Sequence, residues 1–233
     1  MNSAASSAGS GAAPLGSATV TVEVTCSVLI PAFNEADTIA QVVGVAREAS
    51  LGQVVVVDDG SRDGTAATAR LAGAEVIELN RNQGKGGAVA AGLENVRSGV
   101  IVLVDADLVG LLPAHLRALA GPVLAGEADM TRGVFVGGRW RTTAAQRLTP
   151  QLSGQRAVRR ELLEAVPELA STRFGIEVAI TGAAKRQGWR CLDVRLEGVS
   201  QVMKEEKRGL LAGLAMRLRM YRDIVATMIR RSW

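Results

Sequence analysis

The feature that most constrains this chain is a series of short, unbroken β-branched runs separated by helical stretches. "SVLI" (27–30), "VVVV" (54–57), "EVIEL" (75–79) and "VIVLV" (100–104) are the runs. Strands that are apolar at successive positions, rather than alternately, are buried on both faces, as in parallel sheets. Between the runs, Ile39, Val42, Val43 and Ala46 keep the i, i+3, i+4, i+7 spacing of a helix. Ala88, Ala91, Gly92 and Asn95 keep it more weakly. Strand and helix in alternation predict an α/β fold: an open, mostly parallel sheet with helices on both faces. With 233 residues and 48% apolar content, the chain can bury the core that one large domain needs.

In such sheets ligands bind beyond the carboxyl ends of the strands. The first run here ends in Pro31-Ala32-Phe33-Asn34-Glu35, the second in Asp58-Asp59-Gly60-Ser61, and the fourth in Asp105-Ala106-Asp107. Acids at three strand ends should converge on one crevice, where their repulsion invites a divalent cation. A helix cap needs only one acid. The second of the pair Asp58/Asp59 therefore suggests a hydrogen bond to a ligand, such as a base N–H or a ribose hydroxyl. Asp105 and Asp107 are two positions apart and point to one side of an extended segment. That pair suits a hard cation, Mg²⁺ or Mn²⁺.

Other signals narrow the class. Aromatics are only 3% of the chain, too few for a nucleic-acid reader built on stacking. The net charge of +4 suits an anionic ligand or a membrane surface. No apolar run reaches the roughly 18 residues of a membrane-spanning helix. Residues 1–24 are rich in Ala, Ser and Gly, lack the pattern of a signal peptide and read as a flexible tail. Cys26 and Cys191 have no metal-ligand spacing and read as buried, reduced thiols of a cytoplasmic protein. His115, in a helical pattern after Pro113, reads as structural or solvated. Downstream, "ADMTRGVF" reads as a further strand and "SGQRAVRRELLEAV" as a turn followed by a helix. "FGIEVAITGAAKRQG" reads as a helix with Ile176, Ala179, Ile180 and Ala183 on its apolar face and Gly188 as its C-cap.

"NQGKGGAV" (82–89) is neither a Walker A loop nor G-x-G-x-x-G. Its glycines still open a helix beside Lys85, an arrangement that suits a diphosphate. Taken in order, "SVLIPAFNEADTI", "VVVVDDGSRDGT", "NQGKGGAV" and "VLVDADL" resemble glycosyltransferase family 2 on the GT-A fold, closely over about residues 26–110. The resemblance implies a nucleotide-sugar donor. It places Pro31, Glu35 and Asp59 on the nucleoside, Lys85 on the diphosphate, Asp105 near the ribose and Asp107 on the metal. Ala32, Asn34, Asp58, Gly60 and Ala106 complete the donor site in the same way.

The C-terminal half, through "ADMTRGVFVGGRW", "LSGQRAVRRELLEAVPE" and "FGIEVAI", resembles glucosyl-3-phosphoglycerate synthases. "SGQRAVRRE" is also similar to polyprenyl-phosphate sugar transferases. Both groups imply a phosphate-bearing acceptor. Arg132, Arg139, Arg156, Arg159 and Arg160 offer forks for phosphate oxygens, two or three of them reading equally as solvated helix positions. Arg139, beside Gly137-Gly138, is the strongest candidate, and Glu177 matches a helix-borne acid near the acceptor. Relatives often carry a metal-binding His after the last strand, where this chain has Gln201 and Val202.

The expected organisation is a tail (1–24), a GT-A domain (25–205) and a basic amphipathic C-terminal helix (206–233). That helix either lies on an anionic membrane, making the protein peripheral at the inner surface, or packs on the sheet or on a second subunit in a homodimer. The expected activity is metal-dependent transfer of a hexose from a nucleotide sugar, of UDP-glucose or GDP-mannose type, to a polyprenyl phosphate or a small phosphorylated acid. An anionic acceptor oxygen is already nucleophilic, so a dedicated base is not required. The rival readings are a catalytically weak nucleotide-sugar-binding module and a nucleotidyltransferase. The latter lacks the Gly-rich, Arg-containing loop it would need after the first strand.

Overall fold

A computed structural model describes residues 25–136, 153–172 and 175–201. The flexible-tail and terminal-helix expectations, and Arg139, lie outside the described residues.

The seven-stranded sheet has the order β3-β2-β1-β4-β7-β6-β8. Its strands are β1 (Cys26–Ala32), β2 (Gly52–Asp58), β3 (Glu75–Glu78), β4 (Val100–Leu103), β6 (Met130–Val136), β7 (Arg156–Arg159) and β8 (Cys191–Glu197). Only β7 runs against the others, pairing antiparallel with both β4 and β6. β1, β2 and β4 are buried along nearly their whole length, as their unbroken apolar runs require. β3, at the sheet edge, is only partly covered.

Helices cover both faces. On one, α1 (Ile39–Glu48) and α4 (Pro113–Leu124) pack over the sheet, with Ile39, Val42, Val43, Ala46, Leu116 and Leu119 in the core. α2 (Thr65–Leu71) adds Ala69 to that layer. On the other face lie α3 (Lys85–Asn95), α5 (Arg160–Glu164), a 3₁₀ turn at Leu169–Thr172 and α6 (Ile176–Gln187). α4 opens on Pro113, whose missing N–H costs nothing at a first helical position. His115 accepts the Leu112 N–H through Nδ1 (3.2 Å), so it caps this helix, as a structural histidine should. α6 buries Ile176, Ala179, Ile180 and Ala183 and stops at Gly188, whose φ of 68° only glycine adopts freely. The Trp189 N–H then bonds back to the Ala184 carbonyl (3.0 Å), closing the helix end.

Three expectations change. "RAVR" is a strand in mid-sheet rather than part of a turn and helix. It is too short to carry a periodic signal, and its conformation is set by the hydrogen bonds of β4 and β6. α3 buries Ala88, Val89, Gly92 and Leu93, while Asn95 is exposed, so its inner face is rotated from the one read in sequence. Small residues at most positions left that period ill-defined. Cys26 is buried, but Cys191, at the start of β8 on the sheet edge, is exposed.

Candidate active site

Ala32 at the end of β1 pairs with Asp58 at the end of β2, and β4 flanks β1 on its other side. The segments after β2, β1 and β4 therefore stand side by side at one sheet edge. Pro31 and Ala32 form its middle.

The first two segments are laced together by side chains. Asn34, at φ 55°, donates its backbone N–H to Ser61 Oγ (2.8 Å), and its Oδ1 accepts the Arg62 N–H (3.0 Å). Asp58 Oδ1 accepts both the Ser61 N–H (3.1 Å) and the Ser61 hydroxyl. Gly60, at φ 77°, turns the chain between them. Glu35 is buried; its N–H donates to Thr65 Oγ1 (2.9 Å), and the Thr38 hydroxyl lies 3.4 Å from Oε2. Asp58 and Asn34 thus bind the segments after β1 and β2 to one another.

Asp59 does something the sequence did not suggest. Its buried carboxylate accepts the backbone N–H groups of Gln83 (2.6 Å) and Gly84 (2.8 Å), immediately before α3. A carboxylate is favourable there because it meets unpaired donors and the positive end of the helix dipole. It fixes the entry of the helix whose first residue is Lys85. The two glycines that follow serve packing. A Cβ on Gly86 would collide with the Leu169 carbonyl and the Thr172 hydroxyl, so Gly86 lets the 3₁₀ turn lie against α3.

Lys85 Nζ is 2.5 Å from Asp105 Oδ1 and 2.5 Å from Glu177 Oε1, and so joins the end of β4 to the first turn of α6. Burial alone would lower the ammonium pKa. The charges and hydrogen bonds of Asp105 and Glu177 outweigh it and hold the pKa above the ordinary lysine range. Asp105 Oδ2 accepts two side-chain amides, Gln155 Nε2 (2.7 Å) and Gln201 Nε2 (2.8 Å). Gln201 comes from β9 (Ser200–Gln201), which pairs with β5 (Leu108–Val109) directly after the Asp pair. Ala106 is buried between the two half-buried aspartates.

The arginines divide. Arg156 is wholly buried, with Nε on the Ser153 carbonyl (2.9 Å) and a guanidinium nitrogen on Thr181 Oγ1 (2.9 Å). Burial draws its pKa down to about 10, against the pull of Glu177, so it remains a cation at neutral pH. Arg132 pairs with Asp193 (2.7 Å), Arg159 with Asp129 (3.6 Å), and Arg160 with Glu164 (2.7 Å) and the carbonyls of Leu93 and Val96. These contacts tie elements together.

Among the described residues no three His, Cys, Asp or Glu side chains converge to cage a metal. The carboxylates of Asp105 and Asp107 are hard oxygen donors of the kind that suits Mg²⁺ or Mn²⁺, if diphosphate and water fill the remaining positions. Gln155, Ser153 and Gly154 were not foreseen as site residues. The segment stood out in sequence for its arginines, and nothing local tells a glutamine facing an acid from one facing solvent.

The model for the family described as "Glycosyl transferase family 2" matches residues 27–181. The chain belongs to glycosyltransferase family 2. A glucosyl-3-phosphoglycerate synthase of Mycolicibacterium paratuberculosis is 29% identical across an alignment of 249 positions, gaps included, that covers 89% of this chain and 72% of that enzyme. An undecaprenyl-phosphate 4-deoxy-4-formamido-L-arabinose transferase of Shewanella sediminis is 39% identical across an alignment of 93 positions, gaps included, that covers 35% of this chain and 28% of that enzyme. Among solved structures, the glucosyl-3-phosphoglycerate synthase of Mycobacterium tuberculosis, in complex with Mn²⁺, UDP-glucose and phosphoglyceric acid, is 27% identical with a TM-score of 0.71. The match covers 89% of this chain and 79% of that one. The fold is GT-A, and the family is one of nucleotide-sugar-dependent glycosyltransferases.

Proposed function

We propose that the chain transfers a glucosyl unit from UDP-glucose to a small phosphorylated acid of the 3-phosphoglycerate type, with Mg²⁺ or Mn²⁺. The observation that carries this reading is the likeness to glucosyl-3-phosphoglycerate synthases along 89% of the chain, acceptor half included. The site chemistry agrees. Asp105, Asp107 and Glu177 outnumber Lys85 in charge, so an anionic diphosphate needs a further cation.

Asp59, Glu35 and Pro31 hold the nucleoside, Asp105 the ribose, and Lys85 the diphosphate. Asp107 is the metal ligand, and the bound ion would neutralise charge on the leaving group. In phosphoglycerate the nucleophile is the free hydroxyl and not an anionic oxygen, so, unlike a polyprenyl phosphate, this acceptor needs a group to take its proton. The bond from the anomeric carbon to the diphosphate breaks, the bond to that hydroxyl forms, and the hydroxyl proton passes to the departing diphosphate. Glu177, tethered to Lys85, faces the acceptor, and Arg139 grips its phosphate or carboxylate.

Transfer to a polyprenyl phosphate is the second reading, favoured by the 39% identity to the undecaprenyl-phosphate transferase. No helix among the described residues is long and apolar enough to cross a membrane. The test incubates the chain with UDP-glucose and Mn²⁺, giving 3-phosphoglycerate in one arm and undecaprenyl phosphate in detergent in the other. A hexose-bearing phosphoglycerate, seen by mass, is the expected product. A glycosylated lipid alone overturns the acceptor, and no UDP release in either arm favours a binding module.

A further inference from the structure

Asp105 is held by a segment that neither the donor nor the acceptor assignment uses. Gln155 is wholly buried. Its Nε2 donates to Asp105 Oδ2 (2.7 Å), while its Oε1 accepts the Ser153 hydroxyl (3.2 Å). The two bonds fix which end of the amide meets the acid. Its main-chain carbonyl accepts the Gly133 N–H of β6 (2.8 Å), anchoring the segment to the sheet. Beside it, a Cβ on Gly154 would strike the Asp105 carboxylate and come within 2.6 Å of Lys85 Nζ. Residues 153–155 are therefore moulded to the Asp105–Lys85 pair. Gln201 reaches the same oxygen from β9, so Gln155 and Gln201 clamp it from two elements.

We propose that Gln155 is a positioning residue for sugar transfer: its amide fixes the Asp105 carboxylate, and through it the Lys85 ammonium, in the orientation that receives the donor. The inference rests on the donor-site reading above. Gln155 touches no reacting atom and acts only through Asp105. A buried amide bonded to a carboxylate is a charge-assisted contact, whose loss removes one side of the clamp and leaves Oδ2 to Gln201 alone among the two amides.

The test is a double-mutant cycle on UDP affinity and UDP-glucose turnover with Mn²⁺, using Gln155→Met, which preserves volume, and Asp105→Ala. Gln155→Met is expected to weaken UDP binding or turnover about ten- to a hundredfold. In the Asp105→Ala background the same substitution should change either by less than twofold, because the group it orients is gone. Gln155→Asn, which keeps a shorter amide, should recover part of the loss. Thermal unfolding accompanies each variant, and Gln155→Leu, which also removes the donor without adding charge, replaces Gln155→Met if the latter does not fold. Equal losses in both backgrounds would make the role merely structural and overturn the proposal, as would wild-type behaviour of Gln155→Met. If the wild type itself fails to bind UDP, the donor reading falls and the proposal with it. That outcome is distinct from a binding-competent wild type that is indifferent to Gln155.

Discussion

Asp59→Ala separates two roles that converge on one carboxylate. Asp59 is 3% exposed and accepts the N–H groups of Gln83 and Gly84 at 2.6 and 2.8 Å. Hydrogen bonds to a charged group contribute about 1.5–3 kcal/mol each. The two meet the two oxygens of one carboxylate and are not additive, so truncation should cost about 3 kcal/mol. With a urea m-value of about 2–3 kcal/mol/M, the unfolding midpoint should fall by about 1–1.5 M. Asp59→Asn retains one acceptor oxygen and should lose about half as much. Because the same bonds set the entry of α3, Lys85 shifts with them, and UDP affinity should drop even where the protein remains folded. Urea unfolding followed by circular dichroism gives the first quantity and calorimetric titration the second. An unchanged midpoint for Asp59→Ala would refute the argument that this acid builds the loop.

Gly154→Ala should reduce turnover at least tenfold, since the added methyl must displace Asp105 or Lys85; near-normal kinetics would show that the pair has slack. Arg139→Ala should raise the acceptor KM or lower turnover about ten- to a hundredfold, with donor binding nearly unchanged; a loss of donor affinity instead would move Arg139 to the nucleotide side. Asp129 is bonded by Arg190, whose hydrogen bonds and charge hold its carboxyl down at about 2. A depressed folded pKa contributes stability that is fully present above the unfolded value near 4 and is lost as the pH falls toward 2. The stability gap between wild type and Asp129→Asn should therefore be constant above pH 5 and close between pH 4 and 2. A gap that persists at pH 2 would contradict it.

Much of this architecture was legible in the sequence because burial on both faces leaves an unbroken apolar run. β1, β2 and β4 stand where those runs are, and α1 and α6 bury the faces their periodicity marks. Gly188 ends α6 where a residue with positive φ is needed. The illegible parts depend on partners distant in sequence. "RAVR" becomes a strand only between β4 and β6, and the α3 face is set by what its small residues lie against. Asp59 reaches an amide 25 residues away. Gln155 meets Asp105 across 50 residues, so its role belongs to the folded site.

The central claim is that the acids at these strand ends bind a nucleoside diphosphate through a divalent cation. It is tested most directly by titrating UDP into the wild type and into Asp107→Asn, each with and without Mn²⁺. The account predicts that Mn²⁺ strengthens UDP binding to the wild type at least tenfold, and that Asp107→Asn, still folded, loses most of that enhancement together with turnover. UDP affinity that ignores Mn²⁺ in the wild type, or an enhancement that survives Asp107→Asn, would contradict it.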